Sequence, residues 1–243
     1  MRKTLKAMLV VALFAVLLPG AEAAEDFTTG SGESSIRVLV TGFSDWIGVD
    51  EDELFLCERN PSCRILFSQD GAEGLLPAFL MEADERIEWT FLTLPVTWDA
   101  HEYIVDIQQY DVVIHLGMNS RQRFDVLLME DGAYNGAFGK DVLGKRVPQQ
   151  IEASKNSVLA SSDVVQTTLG ALQTMVLERH SVQIAAAGAG NTYVCNALYY
   201  RTLRVHDAVY FIHLPRTSDA NLPVLAIDLG TLIVRILDGY GFG

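Results

Sequence analysis

Cysteine, positive charge and long apolar runs are all scarce in this 243-residue chain. It has only 3 cysteines, too few for a disulfide-stapled scaffold. Lys and Arg number 18 against 31 Asp and Glu, a formal net charge of −13. Such an excess of acid repels phosphate, so nucleic acid is excluded as a partner bound by bulk charge. One long apolar run, Ala7 to Leu18, excludes a multi-span membrane protein. No His or Cys cluster has zinc-ligand spacing, so the sequence calls for no metal and no cofactor. What is abundant is apolar content, 49% hydrophobic against 20% charged. That is enough buried surface to offset the ordering entropy of a single globular domain, and disorder is excluded.

The N-terminus reads as a targeting segment. Arg2, Lys3 and Lys6 precede the apolar run, Pro19-Gly20 breaks it, and Ala21 and Ala23 are the small residues that a signal peptidase reads. A signal peptide over 1–23, a flexible polar leader over 24–35 and one α/β domain over 36–243 are expected. The run is short for a bilayer span, so no stable membrane insertion remains after cleavage. Cleavage removes three positive charges and one negative, moving the net charge from −13 to −15. The mature protein is expected to be exported, periplasmic or secreted. In an oxidising compartment the close pair Cys57 and Cys63 is expected to bond; the alternative is two small residues flanking the Asn-Pro turn. Cys195 then stands alone.

From Ile36 onward, short apolar runs alternate with amphipathic segments. Strands are expected at Ile36–Thr41, Trp89–Leu94, Val112–Leu116, Val126–Met129, Gln183–Ala187 and Val209–His213. They are continuous rather than alternating, as in strands buried on both faces of a sheet. Helices are expected at Leu75–Arg86, Asp99–Gln108, Ser162–Glu178, Tyr193–Leu203 and Leu222–Asp238. Gly136–Lys155 has no strong period and reads as a long surface loop. Strands alternating with helices indicate an α/β layered domain with a largely parallel sheet.

Three residues have chemical potential. Cys195 follows a small-residue stretch and opens a helix, where unpaired N–H groups and partial positive charge favour a thiolate and can hold an oxyanion. His213 ends the apolar run VYFIH, at the carboxyl end of a strand, where open α/β sheets present ligand-facing groups; neutral imidazole is the usual base for a thiol. His115 competes with it, since it too ends a strand, whereas His101, His180 and His206 read as solvated. Glu130 ends the run FDVLLME, where an acid is expected to be partly buried and paired; Asp131 is its rival, and spacing does not choose between them.

At these residues the sequence resembles the cysteine-type pyroglutamyl peptidase (pyrrolidone-carboxylate peptidase) family. The patches lie in order: Val38–Phe43 (VLVTGF), Asn60-Pro61-Ser62, Leu94-Pro95-Val96, Glu130 with Ala133 and Asn135, Thr192–Asn196 (TYVCN) and Phe211–Pro215 (FIHLP). They run from about Ile36 to Pro215. The resemblance implies a three-layer αβα sandwich with a mixed, largely parallel sheet, phosphorylase/hydrolase-like. It implies a triad of Cys195 as nucleophile, His213 as base and Glu130 as its partner. The substrate would be a peptide with a blocked, pyroglutamyl N-terminus, with Phe43, Trp46 and Asn135 as substrate-binding residues. A homo-oligomer is also within this expectation.

This chain departs from the family at Ser44–Gly48, where E-P-F-G-G or similar is usual, and at Met118, where a polar residue is usual. One extra residue, Asn191, precedes Thr192, and the interval from Cys195 to His213 is short. Two alternatives therefore stand beside the exopeptidase: a cysteine amidase of the same fold with another acyl specificity, and a non-catalytic secreted binding protein.

Overall fold

The first strand explains the pattern of the rest. In β1 (Ile36–Phe43), Val38 and Val40 point to one face of the sheet and Leu39 and Phe43 to the other, and all four are buried. Both faces are covered, so the run is continuously apolar. The computed structural model describes residues 35–46, 53–68, 71–147, 149–153, 157–187 and 192–241. The targeting segment expected over 1–23, and all of the leader but Ser35, lie outside these residues.

After β1 come α1 (Pro61–Arg64), α2 (Leu75–Ala83), β2 (Ile87–Leu94), β3 (Val112–Asn119), β4 (Val126–Glu130), β5 (Gly132–Tyr134) and β6 (Val158–Ala160). Then follow α3 (Asp163–Leu172), β7 (Ser181–Ala185), α4 (Val194–Leu203), β8 (Val209–Pro215) and α5 (Leu222–Asp238). Six strands form one sheet in the order β2-β1-β3-β8-β4-β7, and β5 and β6 pair separately. All neighbours in the large sheet are parallel except β4 and β8, which run antiparallel. The sheet is thus mixed and largely parallel, and the fold is α/β as expected.

Helices lie on both faces. Val38, Val112, Ile114, Tyr210 and Ile212 pack with residues of α2, α3 and α5. Leu39, Val113, Val209 and Phe211 pack with Val194, Ala197 and Leu198 of α4. In α5, Leu225, Leu229, Leu232, Ile233 and Ile236 are fully buried, each adding roughly 1.5–3 kcal/mol of transfer free energy. This explains why so apolar a helix belongs to the core.

Some elements differ from expectation. Asp99–Gln108 is not an α-helix but two 3-10 turns, Ala100–Tyr103 and Ile107–Gln109, separated by Asp106 in the left-handed region at φ 46°. The helix expected to reach Glu178 stops at Leu172, and Ser162 caps its start, accepting from Val165 N. The carboxylate of Asp228 on α5 accepts from the backbone N–H groups of Glu178, Arg179 and His180, which removes those donors from any helix. His180, expected to be solvated, is buried and bonded to Asp228 at 2.7 Å. The short α1, β5 and β6 were not expected, being only three or four residues long.

Candidate active site

His213 and Gly117 share a register position on the parallel strands β8 and β3, so their side-chain directions point to the same face of the sheet. That face is the one α4 covers. A β-carbon built on Gly117 would stand 3.1 Å from Cys195 Sγ and 2.9 Å from the Phe211 ring. The missing side chain is what lets the sulfur of Cys195 settle onto the sheet beside His213. Cys195 is the second residue of α4 and half-buried, so the partial positive charge of the helix N-terminus acts on its sulfur.

Glu130 completes the arrangement. Because β4 runs antiparallel to β8, with Leu128 opposite His213, Glu130 sits at the strand end beside the imidazole. His213 Nε2 donates to Glu130 Oε1 at 2.6 Å, and both side chains are buried, 2% and 4% exposed. A proton on Nε2 makes Nδ1 the basic nitrogen. The two rivals are otherwise engaged. The Asp131 carboxylate accepts from Ala187 N at 2.7 Å. His115 is held between Thr41 Oγ1 at 2.8 Å and Thr202 Oγ1 at 3.1 Å, and full burial pushes its pKa down to about 3. It is a neutral core histidine.

Beside Cys195 opens a cavity of about 180 Å³ walled by Phe43, Trp46, Val96, Met118 and Tyr193. Asn60 and Ser120 add polar edges. The space suits a small acyl group. Sequence reasoning singled out Phe43 and Trp46; Val96 and Tyr193 lie in patches it noted, LPV and TYVCN, without a role.

The wall containing Phe43 is built by two patches that interlock. Ser62 Oγ accepts from Phe43 N–H at 3.1 Å and donates to Asn60 Oδ1 at 2.8 Å, while Asn60 Nδ2 donates to Ser44 O at 2.9 Å. The Asp45 carboxylate accepts from the N–H groups of Glu58, Arg59 and Asn60. A β-carbon on Gly42 would stand 1.9 Å from Ser62 O, so no side chain fits there. The loop is closed by Cys57 and Cys63, which the structure joins as a disulfide with Cα atoms 5.6 Å apart.

Asn135 lies elsewhere. Expected to bind substrate, it is absent from the cavity wall, and its amide clamps the backbone of Glu152, donating to its carbonyl at 2.8 Å and accepting from its N–H at 2.9 Å. Asn135 directly follows β5, its N–H extends the β5–β6 pairing by donating to Ser157 O at 2.7 Å, and its side-chain amide is spent on main chain. Asn196 has a comparable task next to the thiol: it accepts from Tyr134 N–H and donates to Tyr134 O and Gly136 O, bolting the first turn of α4 to β5. The Tyr199 hydroxyl reaches Glu130 O at 3.2 Å and Ser161 Oγ at 2.9 Å, and burial raises its pKa, keeping the phenol protonated. Among the described residues no group of three His, Cys, Asp or Glu side chains could hold a metal ion.

No protein-family model and no curated protein matches this chain. Solved structures do match its fold. The pyrrolidone carboxyl peptidase of Fervidobacterium islandicum AW-1 superposes with a TM-score of 0.60 at 18% identity, over 85% of this chain and 99% of that one. The Thermus thermophilus pyrrolidone carboxyl peptidase gives 0.58 at 22% identity, over 82% and 97%. Pyroglutamyl peptidase I of Bacillus amyloliquefaciens gives 0.59 at 16% identity, over 84% and 94%. The fold is thus shared with these enzymes.

Proposed function

We propose that this chain is a cysteine exopeptidase that removes an N-terminal pyroglutamyl residue from peptides through an acyl-enzyme. The observation that carries the reading is the buried 2.6 Å pair of His213 and Glu130, set by strand register beside the Gly117 notch into which Cys195 Sγ packs. In this reading His213 Nδ1 takes the thiol proton and the thiolate attacks the acyl carbonyl carbon. The carbonyl π electrons move to oxygen, where the positive end of α4 offsets the charge. Collapse breaks the C–N bond, and the leaving amine takes the proton from His213. Water, deprotonated by the same imidazole, then hydrolyses the thioester and restores the thiol. Glu130 holds the imidazole tautomer and offsets its charge when protonated. The acyl group would sit between Phe43, Trp46 and Met118.

The names of the structurally similar enzymes support the pyroglutamyl group as first substrate to test. A specific feature favours a second acyl class: Met118 gives the cavity an apolar wall where the resembled family usually has a polar residue. Export is proposed from the N-terminal sequence alone, and processing after Ala23, read by intact mass of secreted protein, tests it.

The deciding experiment is turnover by reduced, mature protein of a pyroglutamyl amide carrying a chromogenic amine, beside a panel of other N-acyl amides. Cleavage by wild type and none by Cys195→Ser is expected. Greater turnover of another acyl group would replace the specificity and keep the chemistry. No turnover of any amide, from folded protein whose Cys195 still alkylates, would remove the catalytic reading and leave the binding protein.

A further inference from the structure

A second cavity, of about 280 Å³, opens where four element ends converge. β8 ends at Pro215, α5 begins at Leu222, and β4 and β7 begin at Val126 and Ser181. It lies on the α5 side of the sheet, whereas Cys195 lies on the α4 side. Arg179 and Arg216 line it, and no acidic side chain does among the described residues. Neither guanidinium is in an ion pair among the described residues. The groove lined by Arg235 differs, because Asp238 also lines it and takes that guanidinium at 2.9 Å. Acids outnumber bases by 13 in this chain, yet two like charges face one cavity with no acid set between them.

His180 also lines this cavity. Only 9% of its side chain is exposed, and its Nδ1 lies 2.7 Å from Asp228 Oδ2. Asp228 accepts from three backbone N–H groups as well, so both its oxygens are acceptors and the imidazole proton sits on Nδ1. Nε2, the other ring nitrogen, has no protein partner among the described residues. The 17-residue α5 starts at the same place, with no side-chain cap bond from Asn221, and adds the positive end of its dipole.

We infer that this cavity binds a small phosphate-type oxyanion. Two guanidiniums supply forked donors that match phosphate oxygens. The imidazole, held through Nδ1 by Asp228, presents Nε2 to the cavity, where it meets a phosphate either as acceptor from a P–OH group or as donor to a phosphate oxygen. The ligand is either free phosphate or the phosphate of a small monoester. Phe124, 81% exposed at the cavity wall, is an apolar platform that would distinguish the two.

The test is titration of Cys195→Ser protein, which keeps this site independent of any peptidase activity, with inorganic phosphate and with phenyl phosphate at constant ionic strength, read by calorimetry. Binding of phosphate is expected, weakened about tenfold or more by Arg179→Gln and by Arg216→Gln, as befits loss of a charge-assisted bond, and unchanged by Arg37→Gln on the far strand β1. Both arginines are exposed, so the variants are expected to fold, and their unfolding midpoints verify it. Tighter binding of phenyl phosphate, with the gain lost in Phe124→Ser, assigns a monoester; equal binding assigns free phosphate. Absence of phosphate binding, or binding that both arginine variants leave intact, would overturn the inference.

Discussion

The Sγ of Cys195 lies 3.1 Å from the point that a β-carbon on Gly117 would occupy. Gly117 is also the register partner of His213, so one absent side chain decides how sulfur and imidazole share the sheet face.

Gly117→Ala is therefore expected to damage the site more than the fold. The new methyl would push on Cys195 Sγ and on the Phe211 ring, and overpacking of this kind costs about 1–3 kcal/mol. A nucleophile misplaced by about 1 Å lowers kcat/KM by about a hundredfold. Amide turnover beside a denaturant midpoint checks it; full activity in the variant would show that Cys195 is not placed by this notch.

Glu130→Gln keeps the shape and removes the charge beside His213 Nε2. If the pair orients and charge-stabilises the base, kcat falls by about 10²–10⁴-fold, from the usual worth of general acid–base catalysis to the loss seen when a triad acid becomes its amide. Steady-state kinetics with a circular dichroism check of folding reads it. Unchanged kcat would reduce Glu130 to a structural acid.

His115 makes stability depend on pH. Its folded pKa is about 3 against about 6.5 unfolded, so the unfolded chain binds a proton that the native state refuses. Stability is complete above about pH 6.5 and is lost as pH falls toward 3, at up to about 1.4 kcal/mol per unit. His115→Asn, which removes the titrating group, is expected to flatten that part of the curve. Urea midpoints of both proteins between neutral and mildly acid pH measure the difference, and parallel curves would refute it.

Asn135→Ala tests its reassignment from substrate to scaffold. Losing both bonds to Glu152 is expected to cost about 1–3 kcal/mol of stability with KM unchanged. A raised KM at unaltered stability would return Asn135 to the substrate.

Much of this was legible from residue order. The runs at Ile36, Val112 and Val209 became central strands because a strand buried on both faces must be apolar throughout. Leu222–Asp238 matched its helix residue for residue, since its apolar spacing covers several turns. Asp99–Gln108 failed because a few apolar residues at helical spacing do not outweigh a left-handed Asp106. The end of α3 was illegible for another reason: the acceptor that captured Glu178–His180 is Asp228, some fifty residues away along the chain.

The candidate site divides along the same line. Sequence alone determined the α/β class and singled out Cys195, His213 and Glu130, because a helix start and strand ends are local features with local signals. Spacing left Asp131 and His115 as rivals that only the resemblance set aside; the tertiary structure alone shows Glu130 bonded to His213, holds Asn135 on Glu152 away from the cavity wall, and reveals Gly117 as the notch under the sulfur. Those choices depend on which strands lie side by side and in what register. Register is set by long-range pairing across the sheet, and no short stretch of the chain contains it.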